Sequence, residues 1–190
     1  MNTSIPLPDG FWQKVEHFTA LLLKYNQTHN ITGAKSEKAV LANVHDSIYP
    51  LQFLDTCALR TAIDIGTGAG FPGLLLALAL PHVSFSLFEP IAKKSAFLHL
   101  AKMHLEMKNV TVCTQRVEQV SPWETDLIAS RAVTNTKMLI NLCKGFITSQ
   151  STLLFYKGEY VDEEVKGLQN YEIHQKDKRY YLIMKDIDVT

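Results

Sequence analysis

Two carboxylates and a run of glycines carry the chemistry that this sequence advertises. Asp64 stands two residues ahead of Gly66, Gly68 and Gly70 follow at alternate positions, and Phe71-Pro72-Gly73 closes the run. Glycines at this spacing let the backbone take positive φ and let a ligand approach where a Cβ would collide. The helix-forming run Leu74 to Leu80 comes next, so the loop leads into a helix N-terminus with unpaired N–H groups. Strand, glycine loop and helix in that order hold a nucleotide-like ligand. A dinucleotide site asks for G-x-G-x-x-G, usually behind an apolar residue. Here the third glycine falls one residue early and position 71 is Phe. A carboxylate at position 64 repels a pyrophosphate and attracts an ammonium or a sulfonium. Glu89, at the end of Val83 to Phe88 and about twenty residues past the loop, is placed to accept hydrogen bonds from two ribose hydroxyls. The plainer reading makes Asp64 a helix cap at a tight turn and Glu89 the lead-in to a helix.

These residues need strands and helices to position them. Thr61 to Ile65 reads as a short buried strand. Val83 to Phe88, Asn109 to Cys113, Asp126 to Ser130 and Ser151 to Tyr156 read as four more, alternating with helices over 74–80, 93–106 and 136–145. Such alternation means a parallel sheet built by right-handed crossovers. A polar helix over 161–170 and two closing strands, 171–175 and 179–185, complete the core. Ahead of it, Phe11, Val15, Phe18, Leu22 and Tyr25 recur at helical spacing over residues 11–25. A polar loop is expected over 26–33, then a helix over 37–44 capped by Ser36. The chain divides into a helical extension, 1–58, packed on a core, 59–190, within one structural domain. Ligands bind at the C-terminal ends of such strands. The tips are Gly66 to Gly70, Glu89, Arg116 to Glu118, Ser130-Arg131 and Lys157-Gly158.

Composition narrows the class. In 190 residues, 46% are hydrophobic, enough for a sizeable core, and 19 basic residues balance 19 acidic ones. A neutral chain is a poor non-specific nucleic-acid binder, because phosphate contacts dominate that affinity. It leaves room for a local basic face. The N-terminus reads as no signal peptide, and Leu74 to Leu80 is too short to span a bilayer. Cys57, Cys113 and Cys143 lack C-x-x-C spacing and are expected as reduced, buried thiols. A cytoplasmic monomer with no metal is expected.

Asp64-x-Gly66-x-Gly68-x-Gly70 resembles the first motif of class I S-adenosylmethionine-dependent methyltransferases, whose fold is a Rossmann-like, seven-stranded, mostly parallel α/β sheet with helices on both faces. In that family the acidic residue lies near the cationic methionine end of the cofactor. The fourth strand tip, Ser130-Arg131-Ala132, has neither the (Asp/Asn)-Pro-Pro-aromatic motif used on exocyclic amines nor a cysteine nucleophile. Guanine N7 fits such a site, since its lone pair is free in the neutral base. Alignment of that lone pair with the methyl group supplies acceleration by proximity, worth up to about 7–11 kcal/mol. Arg131 suits guanine O6 and phosphate, and equally suits a structural carboxylate.

Further pieces make the resemblance specific. Asn30-Ile31-Thr32, Asp46-Ser47, Asp64 through Gly73, Lys93-Lys94 with Phe97-Leu98, Lys108-Asn109-Val110, Arg116-Val117-Glu118, Ser130-Arg131-Ala132 and Lys157-Gly158 keep the order of the RsmG family, also called glucose-inhibited division protein B. The chain resembles that family over roughly residues 20–160. The resemblance implies methylation of guanine N7 in 16S ribosomal RNA within the small ribosomal subunit. It implies cofactor contacts from Asp64, Gly66, Thr67, Gly68, Gly70, Phe71, Glu89, Val117, Glu118 and Arg131. Arg131 also positions the base, Val117 and Pro90 are candidates for an apolar wall, and Lys93, Lys94 and Lys157 are candidate RNA contacts. The family often carries His three residues before the Asp-Ser pair; here that position is Asn43. A small-molecule methyltransferase and a non-catalytic nucleotide-binding module are the competing readings.

Overall fold

A computed structural model describes residues 5–187. Among the described residues six helices and seven strands follow in the expected order: α1 (Phe11–His29), α2 (Glu37–Ile48), β1 (Thr61–Ile65), α3 (Gly73–Ala79), β2 (Ser84–Phe88), α4 (Ala92–His104), β3 (Val110–Cys113), β4 (Leu127–Arg131), α5 (Thr136–Cys143), β5 (Thr152–Lys157), α6 (Val161–Glu164), β6 (Tyr171–Lys176) and β7 (Arg179–Met184). The seven strands form one sheet in the order β3-β2-β1-β4-β5-β7-β6. β7 runs antiparallel to both β5 and β6, and the other pairings are parallel. The strand order reverses beside β1, between β2 and β4, which opens a crevice at the C-terminal ends of these strands.

Two apolar layers cover the sheet. Phe18 and Leu22 of α1, Val40 and Val44 of α2, the whole of α3 and Phe97 of α4 share one buried cluster with the sheet. Leu139 of α5 and Val161 of α6 pack on the other face against Ile63, Ile128 and Phe155. The N-terminal helices are thus part of the main core.

Three helices differ from expectation. α1 continues four residues beyond position 25 because Asn26 does not break it. The Asn26 Oδ1 accepts from Ile31 and Thr32 N–H, and its Nδ2 donates to the Thr32 carbonyl. That side chain stitches down the turn, and Asn30 ends the helix in the left-handed region. α2 is capped by Ser36 as expected but runs on to Ile48, carrying Asn43, Asp46 and Ser47 on one helical face. α6 ends at Glu164, short of position 170, and Gly167 turns the chain away at φ 80°. The cysteines differ as well: Cys143 is buried and Cys113 half-buried, but Cys57 is exposed. Among the described residues no helix is long and apolar enough to cross a membrane.

Candidate functional site

Alternation along the strands decides which side chains meet. Ile63 and Ile65 of β1 face α5, which turns Ala62 and Asp64 toward α1–α3. The same parity in β4 sends Leu127, Ala129 and Arg131 to the α1–α3 side, and it does so for Tyr156 of β5 and Tyr181 of β7. Arg131, Tyr156 and Tyr181 therefore reach one neighbour, α2, and Asp64 reaches the start of α3.

At the β1 tip, Asp64 is fully buried. Its Oδ2 accepts from Gly73 N–H at 2.7 Å, which ties the start of α3 to the strand. A Cβ on Gly73 would lie 2.5 Å from that oxygen, so glycine is required there. The Asp64 Oδ1 and the nearby Thr67 hydroxyl are buried and, apart from each other, have no hydrogen-bond partner. Burial pushes the Asp64 carboxyl up to about 6. Unpartnered buried polar atoms call for a ligand, and a cationic group is the partner that would offset this buried charge. Gly66, Gly68 and Gly70 take φ of 72°, 62° and 97°. A Cβ on Gly68 would meet nothing closer than the Gly66 carbonyl at 4.0 Å, so the loop leaves open space on that side. These features fit S-adenosylmethionine.

Glu89 is buried at the β2 tip, beside the glycine loop. One carboxylate oxygen accepts from Gly68 N–H and the other from Ile91 N–H, both at 2.9 Å. The loop is further pinned by Gly66 and Thr67 N–H donating to the Phe88 carbonyl. Glu89 thus holds the glycine loop in shape while keeping lone-pair capacity for another donor. Val117 is buried against Phe88 and its neighbours, whereas Pro90 and Glu118 are exposed. Phe71 is buried: its ring packs edge-on to Phe18, and the Arg131 guanidinium lies 5.1 Å from its centroid. It serves as a platform for Arg131.

Arg131 is the best-braced polar side chain of the site. Its Nη1 donates to Asn43 Oδ1 and to Asp46 Oδ2, each at 3.0 Å. The other oxygen of Asp46 accepts from Arg179 Nε at 3.1 Å and from the Tyr181 hydroxyl at 2.9 Å. The Tyr156 hydroxyl donates to the Ser47 carbonyl in the next residue of α2. Burial raises the pKa of both tyrosines, and the Asp46 charge adds to it, so both stay protonated donors. Sequence reasoning assigned no role to Asn43, Asp46, Arg179 or Tyr181. The available signal was the i, i+3 spacing of Asn43 and Asp46, which puts both on the helix face that α2 turns to the sheet.

The three candidate RNA-contacting lysines are not gathered on one surface. Lys157 is buried, with its ammonium 2.7 Å from Glu164 and 3.1 Å from the Thr134 carbonyl. The ammonium of Lys93 donates to the carbonyls of His29 and Asn30 at the end of α1. Lys94 is half-exposed nearby. β1 and β4 lie between the strands that carry these two regions.

A seven-stranded sheet with a reversed β7, an acidic residue and glycine loop at the β1 tip and a carboxylate at the β2 tip defines a class I methyltransferase. The solved structures agree at the level of fold. A putative S-adenosyl-L-methionine-dependent methyltransferase from Methanococcus maripaludis superposes with a TM-score of 0.62 at 13% identity, covering 90% of this chain and 93% of that one. An rRNA methylase from Streptococcus thermophilus gives 0.56 at 11% identity, covering 70% and 92%. Within this class the chain belongs to the family described as GidB, rRNA small subunit methyltransferase G, whose model matches residues 12–186. Proteins named ribosomal RNA small subunit methyltransferase G are similar over nearly the whole length. That of Wolinella succinogenes is 45% identical, covering 96% of this chain and 94% of the relative. That of Campylobacter fetus is 42% identical, covering 95% and 98%.

Proposed function

We propose that this protein transfers a methyl group from S-adenosylmethionine to N7 of a guanine in 16S ribosomal RNA, with the small ribosomal subunit as its substrate. The observation that carries this reading is Arg131, held rigidly beside the glycine loop by Asp46 and Asn43, in a chain whose relatives are named as small-subunit ribosomal RNA methyltransferases. Bound in the crevice, the cofactor would supply an electrophilic methyl group on a cationic sulfonium. Asp64, Thr67, Gly68 and Glu89 would hold it.

The chain's own task is then positioning. N7 carries its lone pair in the neutral base, so no proton has to leave before attack and no general base is required. Methylation leaves the purine ring cationic. A lone arginine beside it would oppose that charge, whereas Arg131 is paired with a carboxylate 3.0 Å away. The described contacts of Arg131 with Asn43 and Asp46 use Nη1 alone, which fits donation from the rest of the guanidinium to guanine O6. Residues 1–58 act as a helical cap that supplies Asn43 and Asp46 to the core of 59–190, and the protein acts as a cytoplasmic monomer.

The test is transfer from radiolabelled S-adenosylmethionine into small subunits from cells lacking the endogenous activity, followed by nucleoside analysis. Label in 7-methylguanosine of the 16S RNA is the expected result. Cofactor binding without label in RNA would overturn the substrate assignment in favour of a small-molecule acceptor or a non-catalytic module.

A further inference from the structure

We propose that the cleft between α2 and the β6–β7 hairpin is a docking groove for single-stranded RNA, with Lys176, Lys178 and Arg179 holding phosphates next to the target base. This rests on the reading of 16S RNA as the substrate and adds to it the surface that meets the strand. The cleft measures about 460 Å³ and is open to solvent, with His45 and Asp46 on the helical side and residues 176–179 on the hairpin side.

The topology puts this cleft beside the reaction site. Tyr180 pairs with Lys157 at the C-terminal end of β5, and β7 runs antiparallel. The hairpin turn therefore lies on the edge of the sheet that carries the glycine loop, Glu89 and Arg131. Asp46 spans the distance between them, with one oxygen on Arg131 and the other on Arg179. A strand lying in the cleft would reach Arg131 past a single carboxylate.

The charge of the cleft suits a polyanion. Residues 176–179 read Lys-Asp-Lys-Arg, so three cations face one exposed acid, Asp177. Asp46 is already shared between two arginines, which removes it as a source of repulsion. The chain as a whole has no net charge, so a local excess of this kind is what its affinity for phosphate would depend on. Lys178 is exposed, and Arg179 is 39% exposed with Nε on Asp46. By contrast, the ammonium of Lys157 is buried on Glu164. Two aromatic rings lie against residues of its lining. His45 packs against Trp12, itself 46% exposed, with ring centroids 5.2 Å apart, and Lys176 sits 4.5 Å from the centre of the Tyr49 ring. Basic groups interleaved with aromatic faces are how unpaired strands are held, phosphates on the cations and bases on the rings.

The test compares wild type with Lys176→Glu/Lys178→Glu, Lys178→Gln and Lys108→Glu. Lys108 is exposed just ahead of β3, on the opposite edge of the sheet. The substrates are small subunits lacking the modification, and naked 16S RNA is used in parallel binding assays. The double variant should raise KM for subunits and Kd for naked RNA about tenfold or more. It should leave kcat and cofactor affinity within twofold, and lower the salt slope of RNA binding by about one to two. Lys178→Gln should give about a threefold rise in KM with unchanged thermal stability, and Lys108→Glu no rise. Unchanged KM and salt slope in an otherwise active protein would overturn the groove alone. So would a loss seen with subunits but not with naked RNA, which would mean contact with a ribosomal protein. A wild-type protein that places no label in RNA would overturn the reaction assignment, and the groove with it.

Discussion

Asp46 and Arg131 meet at 3.0 Å although 85 positions separate them in the chain. The pair joins α2 to the tip of β4, so the side chain nearest the proposed target base is oriented by the N-terminal helices. Arg131→Ala should lower methyl transfer about a hundredfold while changing cofactor affinity only slightly. Asp46→Asn, which keeps the shape and removes the charge, should cost about tenfold or more by letting Arg131 shift. The two losses should not add in the double variant. Steady-state kinetics with calorimetric cofactor binding will check this, and equal losses of transfer and cofactor binding for Arg131→Ala would assign the residue to the cofactor or to the fold.

The buried Asp64 makes ligand-free stability depend on pH. Its carboxyl ordinarily titrates at 3.8, and burial pushes it up to about 6. Between these values the folded state binds more protons than the unfolded one, so stability falls as pH rises through the window and stays low above it. The loss is on the order of 3 kcal/mol. Asp64→Asn should flatten that slope and raise stability at pH 8, yet weaken cofactor binding about 10- to 100-fold by removing the carboxylate from a cation. Denaturant melts between pH 4 and 8, with calorimetry at pH 8, will show whether the two effects have opposite signs.

Two glycines of one loop should fail in different ways. At Gly68 an added Cβ finds open space, and the cost is the left-handed backbone at φ 62°. Gly68→Ala should therefore lose only about 1 kcal/mol of stability but a larger share of cofactor affinity. At Gly73 the Cβ would lie 2.5 Å from Asp64 Oδ2 and 2.6 Å from Leu87 Cδ2, both in buried side chains. Gly73→Ala should lose about 3 kcal/mol or more of stability before binding is considered. Thermal melts alongside titrations will separate the two.

Lys157 should prove to be a stabilising residue. Burial works against the Glu164 carboxylate, but hydrogen bonds from Lys157 and Thr136 outweigh it and hold that carboxyl below its ordinary 4.5. Lys157→Met should cost about 2–3 kcal/mol, less than the roughly 3–5 kcal/mol for breaking a fully buried pair, because Glu164 is 27% exposed. The difference from wild type should be full above the ordinary carboxylate range and shrink as pH falls below it. KM for small subunits should stay within twofold in the variant; a large rise without loss of stability would return Lys157 to the RNA surface.

Local features were legible in the sequence because local physics produces them. Thr61–Ile65 is a strand for its apolar character, the glycine loop turns because glycine tolerates positive φ, and Ser36 caps α2 by bonding three residues on. The alternation of strands and helices implied the parallel sheet, and the loop spacing with Asp64 and Glu89 pointed to the cofactor class. Element ends were less legible where a side chain acted across a turn, as Asn26 does in prolonging α1.

Residue type and local order thus laid out the frame and the row of residues along its C-terminal edge. Tertiary structure alone decided their partners. Arg131 is claimed by Asn43 and Asp46, Lys157 by Glu164 and Lys93 by the end of α1, while Lys176, Lys178 and Arg179 are brought to the site edge by the antiparallel return of β7. The spacing of residues along a strand or helix says which way a side chain points. It says nothing of which distant element arrives to meet it, because that depends on the packing of α1 and α2 over one face of the sheet and on a strand order set by the whole chain.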